Sequence, residues 1–175
     1  TPCAHALTEF IAIDFETSNN RRDSACAIGL ARVSKGRIVA EAHHLIRPPS
    51  KEFWYTHIHG LTWKDVAEAP DFAGIWPQIA DLFDGVDFIS AHNAGFDRGV
   101  LYGCCETYAI TPPRLPFLCT VDLARSLRQV RPTKLPDVCR YLSIPLDHHK
   151  ADSDSRACAE IVIAALADGW RYGRR

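Results

Sequence analysis

The sequence has no methionine, no Cys-x-x-Cys pair and no apolar run of the ~18 residues that a membrane-crossing helix needs. The lack of paired cysteines removes the usual frame of a structural zinc site or a dithiol redox centre. Seven cysteines, an odd number at irregular spacing, point instead to reduced thiols packed in a cytosolic protein. Net charge is also scarce. With 20 basic and 21 acidic side chains the balance is -1, so no global basic field advertises nucleic acid. Local basic clusters at Arg125, Arg128, Arg131 and Lys134, and at Arg171, Arg174 and Arg175, read most plainly as solvated helix face and tail. No linker or internal repeat divides the chain, and 175 residues suit one domain spanning 1–175 with its core at about 9–167. The first residues lack a basic segment followed by an apolar one, so a soluble, cytoplasmic location with no membrane partner is expected. Whether Thr1 begins a processed chain or a trimmed domain stays open.

What is present is an apolar run, Phe10-Ile11-Ala12-Ile13, that closes on Asp14-Phe15-Glu16-Thr17. In a strand the side chains alternate, so Asp14 and Glu16 share one face while Ile13 and Phe15 take the other. Neighbouring carboxylates repel unless something positive stands between them. An all-oxygen pair suits a hard divalent cation, Mg²⁺ or Mn²⁺, better than Zn²⁺. Asp-x-Glu also occurs on solvated strands, so the pair gains meaning only from partners elsewhere.

A polar loop (17–23) separates this run from strand candidates at 25–33 and 37–46, joined by a Ser34-Lys35-Gly36 turn; the three read as an antiparallel meander. Residues 48–60 break the pattern with two prolines and a cluster of aromatics and histidines, among which Phe53 and Trp54 are expected to pack inside the loop. From Asp71 to Phe83, the apolar positions Phe72, Ile75, Trp76, Ile79, Ala80 and Phe83 recur at helical spacing, with Asp71 as the cap and Pro77 bending or dividing the helix. A buried strand at 86–91 leads through His92-Asn93 to a helix over 94–108, with Phe96, Val100, Leu101 and Cys104 on one side. Further on come a short strand at 117–119, a helix capped by Thr120 and running to Leu127, a helix at 135–142 and an Ala-rich helix at 151–166. The order β-β-β-α-β-α-β-α-α predicts an α/β fold: a meander extended by parallel strands into a mixed five-stranded sheet, with helices on both faces.

Asp97 falls one turn into the helix after the fourth strand, which places it beside the end of the first strand if the two strands are neighbours. As an ordinary helix-start acid it would contribute only ~0.3–1 kcal/mol. Asp152 and Asp154 lie about 200° apart around the last helix. Asp154 shares the stripe of Ala157 and Ile161, so it points inward and Asp152 outward. His148 and His149, just before that helix, each offer a base that titrates near neutrality.

Asp14-x-Glu16, the segment His92-Asn93-Ala94-Gly95-Phe96-Asp97, and His149 followed five residues later by Asp154 resemble the three motifs of the DEDDh (DnaQ-like) exonuclease family, which includes the proofreading subunit of bacterial replicative polymerase. The resemblance runs from about Glu9 to Ala165 and selects His149 over His148. It implies an RNase H-like fold and metal-dependent 3′-to-5′ hydrolysis of nucleic acid that releases nucleoside 5′-monophosphates. Two ions ~3.5–4 Å apart would be held by Asp14, Glu16, Asp97 and Asp154, with His149 as general base. Ile58-His59-Gly60-Leu61-Thr62 resembles the family's substrate loop. By the same resemblance Thr17, His59, Gly60, Leu61, His92 and Asn93 are the substrate-side residues. Thr17 would meet the 3′-hydroxyl, Leu61 the last base, and Asn93 would hold the loop. The implied substrate is single-stranded DNA 3′ ends, with RNA as the alternative. A DNA polymerase subunit is the implied protein partner, and both monomer and homodimer are compatible.

Overall fold

The computed structural model describes residues 8–173, the side chain of Arg128 excepted; Arg174 and Arg175 of the tail cluster lie outside it. Three strands, β1 (Glu9–Thr17), β2 (Ala25–Ser34) and β3 (Arg37–Leu45), form the antiparallel meander. Two parallel strands, β4 (Phe88–Ala91) and β5 (Phe117–Cys119), extend it in the order β3-β2-β1-β4-β5. The meander and its parallel extension are as the sequence predicts. The fourth strand is shorter than expected, because Asp87 turns its side chain and amide to the backbone of Glu9 instead of continuing the ladder with β5.

The alternation of β1 divides the core. Ile11, Ile13 and Phe15 pack towards α3 (Phe72–Ile79) and α4 (Ala94–Thr107), in a cluster with Phe72, Ile75, Ile79, Leu101 and Cys104. Phe10 and Ala12 face the other way, onto Cys158, Ala159 and Val162 of α7 (Ala151–Ala167). Each large side chain removed from water in this way contributes about 1.5–3 kcal/mol. Helix α6 (Leu135–Leu142) covers the outer side of α7 through Val138 and Ile161. Helices therefore lie on both faces, as expected.

As expected, Asp71 caps α3, accepting from the Gly74 amide at 3.0 Å, and the helix divides after Pro77, passing into a 3₁₀ turn over Ala80–Phe83. Other local expectations are corrected. Residues 48–66 contain two short helices, α1 (Thr56–His59) and α2 (Trp63–Val66), too brief to leave a periodic signal. Thr120 is not a cap. It is the buried first residue of α5 (Thr120–Leu123), which widens into a π turn over Ala124–Arg128. Trp54 and Phe96 are not core: they stand 53% and 47% exposed, Phe96 on the rim described below.

One glycine decides how closely α7 approaches the sheet. Gly29 is the register partner of Asp14, and a Cβ there would lie 2.0 Å from the Ala151 carbonyl oxygen and 2.7 Å from Ser155 Oγ. Only a bare backbone lets the first turn of α7 rest on the strand at this point.

Candidate active site

The parity that sends Phe10 and Ala12 towards α7 also sends Asp14 and Glu16 there. Asp154, in the first turn of α7 and only 4% exposed, meets them from above. One oxygen from each of Asp14, Glu16 and Asp154 lies within 4.8 Å of the others. Asp97 arrives from the other side of β1: its Oδ1 accepts the Phe15 amide at 2.9 Å. That bond ties the first turn of α4 to the end of β1, through the adjacency of the parallel strands β1 and β4. The sequence expectation that Asp152 faces away from this cleft holds, since it is only partly covered while Asp154 is buried.

The electrostatics of the cluster are unfavourable as they stand. Burial pushes the carboxyl of Asp14 well above the usual range, and the charges of Asp97, Asp154 and Glu16 push it further. Glu16 rises to about 8, from burial first and then from Asp154 and Asp97. Asp97 also rises to about 8, through burial, against the opposing pull of the Phe15 and its own backbone amides. Asp154 is raised by burial although His148 and the His149 amide oppose the shift. Asp14 Oδ2 is buried without a hydrogen-bond partner among the described residues. A buried carboxylate oxygen with no donor costs about 1–3 kcal/mol or more. A divalent cation would remove both penalties, and an all-oxygen donor set is the kind that Mg²⁺ and Mn²⁺ take. The residues present fit such ions.

The histidine pair lies at the edge of the cluster. His148 Nδ1 is 3.2 Å from Asp154 Oδ1, and the backbone amide of His149 donates to Asp154 Oδ2 at 3.1 Å. His149 adopts a left-handed backbone (φ 67°), and its ring stacks on that of His148 with centroids 3.7 Å apart. Burial and the neighbouring His148 lower its pKa, against the pull of Asp154, so the ring is neutral and basic near pH 7.

A family model described as exonuclease, of the RNase T type, matches residues 11–162. The chain belongs to this exonuclease family. It is 30% identical to the PolC-type DNA polymerase III of Thermotoga maritima over 159 residues, covering 88% of this chain and 12% of that protein. Its identity to the PolC-type enzyme of Bacillus subtilis is 27%, over 97% of this chain and 12% of the other. The chain spans 26% or less of the length of the first curated relatives it matches. Among solved structures, Exonuclease X in complex with 5′-overhanging duplex DNA superimposes with a TM-score of 0.75 at 25% identity, covering 93% of this chain and 94% of that one. The nuclease domain of 3′hExo, a DEDDh family member bound to rAMP, gives 0.78 at 17% identity over 92% of both chains, which supports the RNase H-like fold.

Around the acids, this exonuclease has two open hollows. One, of about 480 Å³, is bounded by Thr17, Arg22, Tyr55, Ile58, His59 and Phe96 beside Glu16. The second, about 690 Å³, is lined by Asp14, Glu16, His92, Arg131, Lys134 and His149. Arg131 and Lys134, read from sequence as solvated face, thus border the cleft. Only the fold brings their loop there, and no motif marks it.

The substrate-side residues divide in an unexpected way. His59 Nδ1 accepts the Leu61 amide at 3.0 Å, so its Nε2 carries the proton and donates to the Thr17 carbonyl at 2.9 Å. The Leu61 carbonyl accepts from the Thr56 hydroxyl at 2.6 Å, and Gly60 turns the chain at φ +80°. His92 is likewise occupied at both nitrogens: Nε2 donates to the Thr133 carbonyl and Nδ1 accepts from Thr120, each at 2.8 Å. Both rings thus hold loops in place. Asn93 is exposed and left-handed (φ 66°), a conformation Asn tolerates, and its side chain makes no capping bond to α4. Thr17 is buried at the strand end and Leu61 is half-buried.

Proposed function

We propose that this exonuclease domain, with its core at 9–167, removes nucleotides from the 3′ ends of single-stranded DNA and releases nucleoside 5′-monophosphates. The observation that carries the reading is the convergence of Asp14, Glu16 and Asp154 around a buried, partnerless carboxylate oxygen, with Asp97 and a neutral His149 alongside. In this reading Asp14, Glu16, Asp97 and Asp154 hold two divalent cations, Mg²⁺ or Mn²⁺. Such ions, when bound, lower the pKa of water and stabilise charge on a departing oxygen.

The remaining work falls to the chain's own side chains. His149 is uncharged near pH 7 and stands beside the acids, so it can take a proton from attacking water. Asp154, through its bond from the His149 amide, fixes the backbone from which that ring projects. Thr17 lies one residue past Glu16 and would receive the terminal hydroxyl. The exposed ring of Phe96 borders the first hollow with Ile58, where a splayed base would gain about 1–3 kcal/mol by stacking and apolar contact, and Leu61 follows in the same loop. Arg131 and Lys134 would meet the phosphates further along the strand. Such contacts position the strand without reading its sequence.

Linear and circular single strands of one sequence, incubated with Mg²⁺, test the proposal. The linear strand should shorten from its 3′ end, and cleavage of the circle at a comparable rate would overturn it. The same time course on DNA and RNA ends, single-stranded and recessed, assigns the substrate class. PolC-type relatives favour a DNA polymerase as partner. Gel filtration with a turnover assay on the isolated chain separates independent activity from dependence on that partner.

A further inference from the structure

The acid cluster and the histidine pair share one residue, Asp154, yet they present different chemistry to a metal. Asp14, Glu16 and Asp154 offer only oxygen. On its other side Asp154 meets His148 and His149, and the ligand atoms of these three also lie within 4.8 Å of one another. Two imidazoles and one carboxylate form a borderline-soft donor set, which suits Zn²⁺ and disfavours Mg²⁺. We propose that His148, His149 and Asp154 form a second, inhibitory metal site selective for Zn²⁺, distinct in its donor set from the all-oxygen site.

The geometry is close to what that ion requires. With ligand bonds of 2.0–2.1 Å, a tetrahedral site has edges of about 3.3–3.4 Å between donor atoms. The edge from His148 Nδ1 to Asp154 Oδ1 is already 3.2 Å. Closing the third corner takes a rotation of the His149 ring, which is exposed and stacked face to face on His148. Three protein ligands leave the fourth position to water. Ligation through His148 Nδ1 requires the tautomer with its proton on Nε2, because a ligating nitrogen must be unprotonated. Asp154 is anchored by the amide of His149 and by its place in α7, so the site needs no rearrangement of the fold.

Occupancy would take both His149 and Asp154 away from hydrolysis. That consequence rests on the function proposed above, whereas binding of the ion does not. His148 is the discriminating residue, since it serves the second site alone.

Co²⁺, a spectroscopic substitute for Zn²⁺, is titrated into the full chain at saturating Mg²⁺, in parallel with the His148→Gln variant. The wild type should develop the intense visible absorption of a four-coordinate ion, bleached by one equivalent of Zn²⁺, without the near-ultraviolet charge-transfer band of thiolate ligation. His148→Gln should show only the faint six-coordinate spectrum. In the nuclease assay, the Zn²⁺ concentration that halves each protein's own activity should rise at least about 10-fold in the variant, the loss that even an outer contact of a metal site can cause. A faint spectrum in the wild type, or equal Zn²⁺ sensitivity in both proteins, would overturn the site. Intense absorption in a chain without nuclease activity would keep the site and reject the function. If the variant fails to fold, the wild-type spectrum decides alone.

Discussion

Replacing Gly29 by alanine should disable the enzyme while leaving it folded, although Gly29 touches no substrate. The added Cβ would stand 2.0 Å from the Ala151 oxygen and 2.3 Å from its carbon, both backbone atoms that no rotamer change can move. Ordinary contact begins at 3.4 Å, so the first turn of α7 must retreat by 3.4 − 2.0 = 1.4 Å. Asp154 sits in that turn, and Gly29 is paired in register with Asp14, so the retreat opens the gap between the two acids. Overpacking of this kind costs about 1–3 kcal/mol of stability. A displacement near 1 Å at a reacting centre costs about 100-fold in rate. Single-turnover hydrolysis of a labelled single strand, normalised to the folded fraction from circular dichroism, reads the effect, and half-maximal activity should require more Mg²⁺. Gly36→Ala is the control. Its turn has positive φ, which Gly29 lacks, and its Cβ meets open space, so it should lose stability alone. Full specific activity with an unchanged Mg²⁺ requirement in Gly29→Ala would refute the reasoning.

Two further outcomes follow from the same cluster. Glu16 and Asp97 hold their protons up to about 8 when folded, against 4.5 and 3.8 ordinarily, so between those limits the folded chain binds more protons than the unfolded one. Metal-free stability is therefore greatest below about pH 4 as far as these groups are concerned, and falls towards pH 8 by up to about 1.4 kcal/mol per pH unit for each group, less for the partly exposed Glu16. His59 and His92, kept neutral mainly by burial, act in the opposite sense below their ordinary 6.5, so urea midpoints in EDTA are compared near pH 7 and near pH 8. Asp154→Asn removes the one charge that raises both groups and should flatten the decline, and an unchanged slope would remove the repulsion from the account. His149→Ala should lower turnover by about 10²–10⁴ while leaving Mg²⁺ binding nearly intact by calorimetry. Retained activity would pass the proton to His148 or to water.

The elements legible in the sequence were those whose signal is periodic. The meander, the parallel extension and the inward face of Asp154 all follow from counting by two or by 3.6. The resemblance to the DEDDh family added the rest of the acid set and chose His149, through the order and spacing of its motifs. What stayed hidden depends on contacts between distant segments. Nothing in residues 131–134 announces that they border the cleft; His92 brings them there through the Thr133 carbonyl. Phe96 falls among apolar residues on a helical wheel, yet the sheet ends before it can be covered, so it projects from the rim. His148 looks redundant beside His149 until its 3.2 Å approach to Asp154 is seen.

The clasp at His59 bears on how this enzyme would spend its time between encounters. The Leu61 amide and carbonyl are both engaged before any strand arrives, the first by His59 and the second by Thr56, and His59 is itself fastened to the end of β1. Ordering a free backbone residue costs about 1–2 kcal/mol in entropy. Here that cost is met once, when the chain folds, and is not repeated at each visit. Under the proposed function, a strand end that shortens by one nucleotide would meet the same clasped loop again, so successive cycles would start from an identical surface with no interval for the loop to settle.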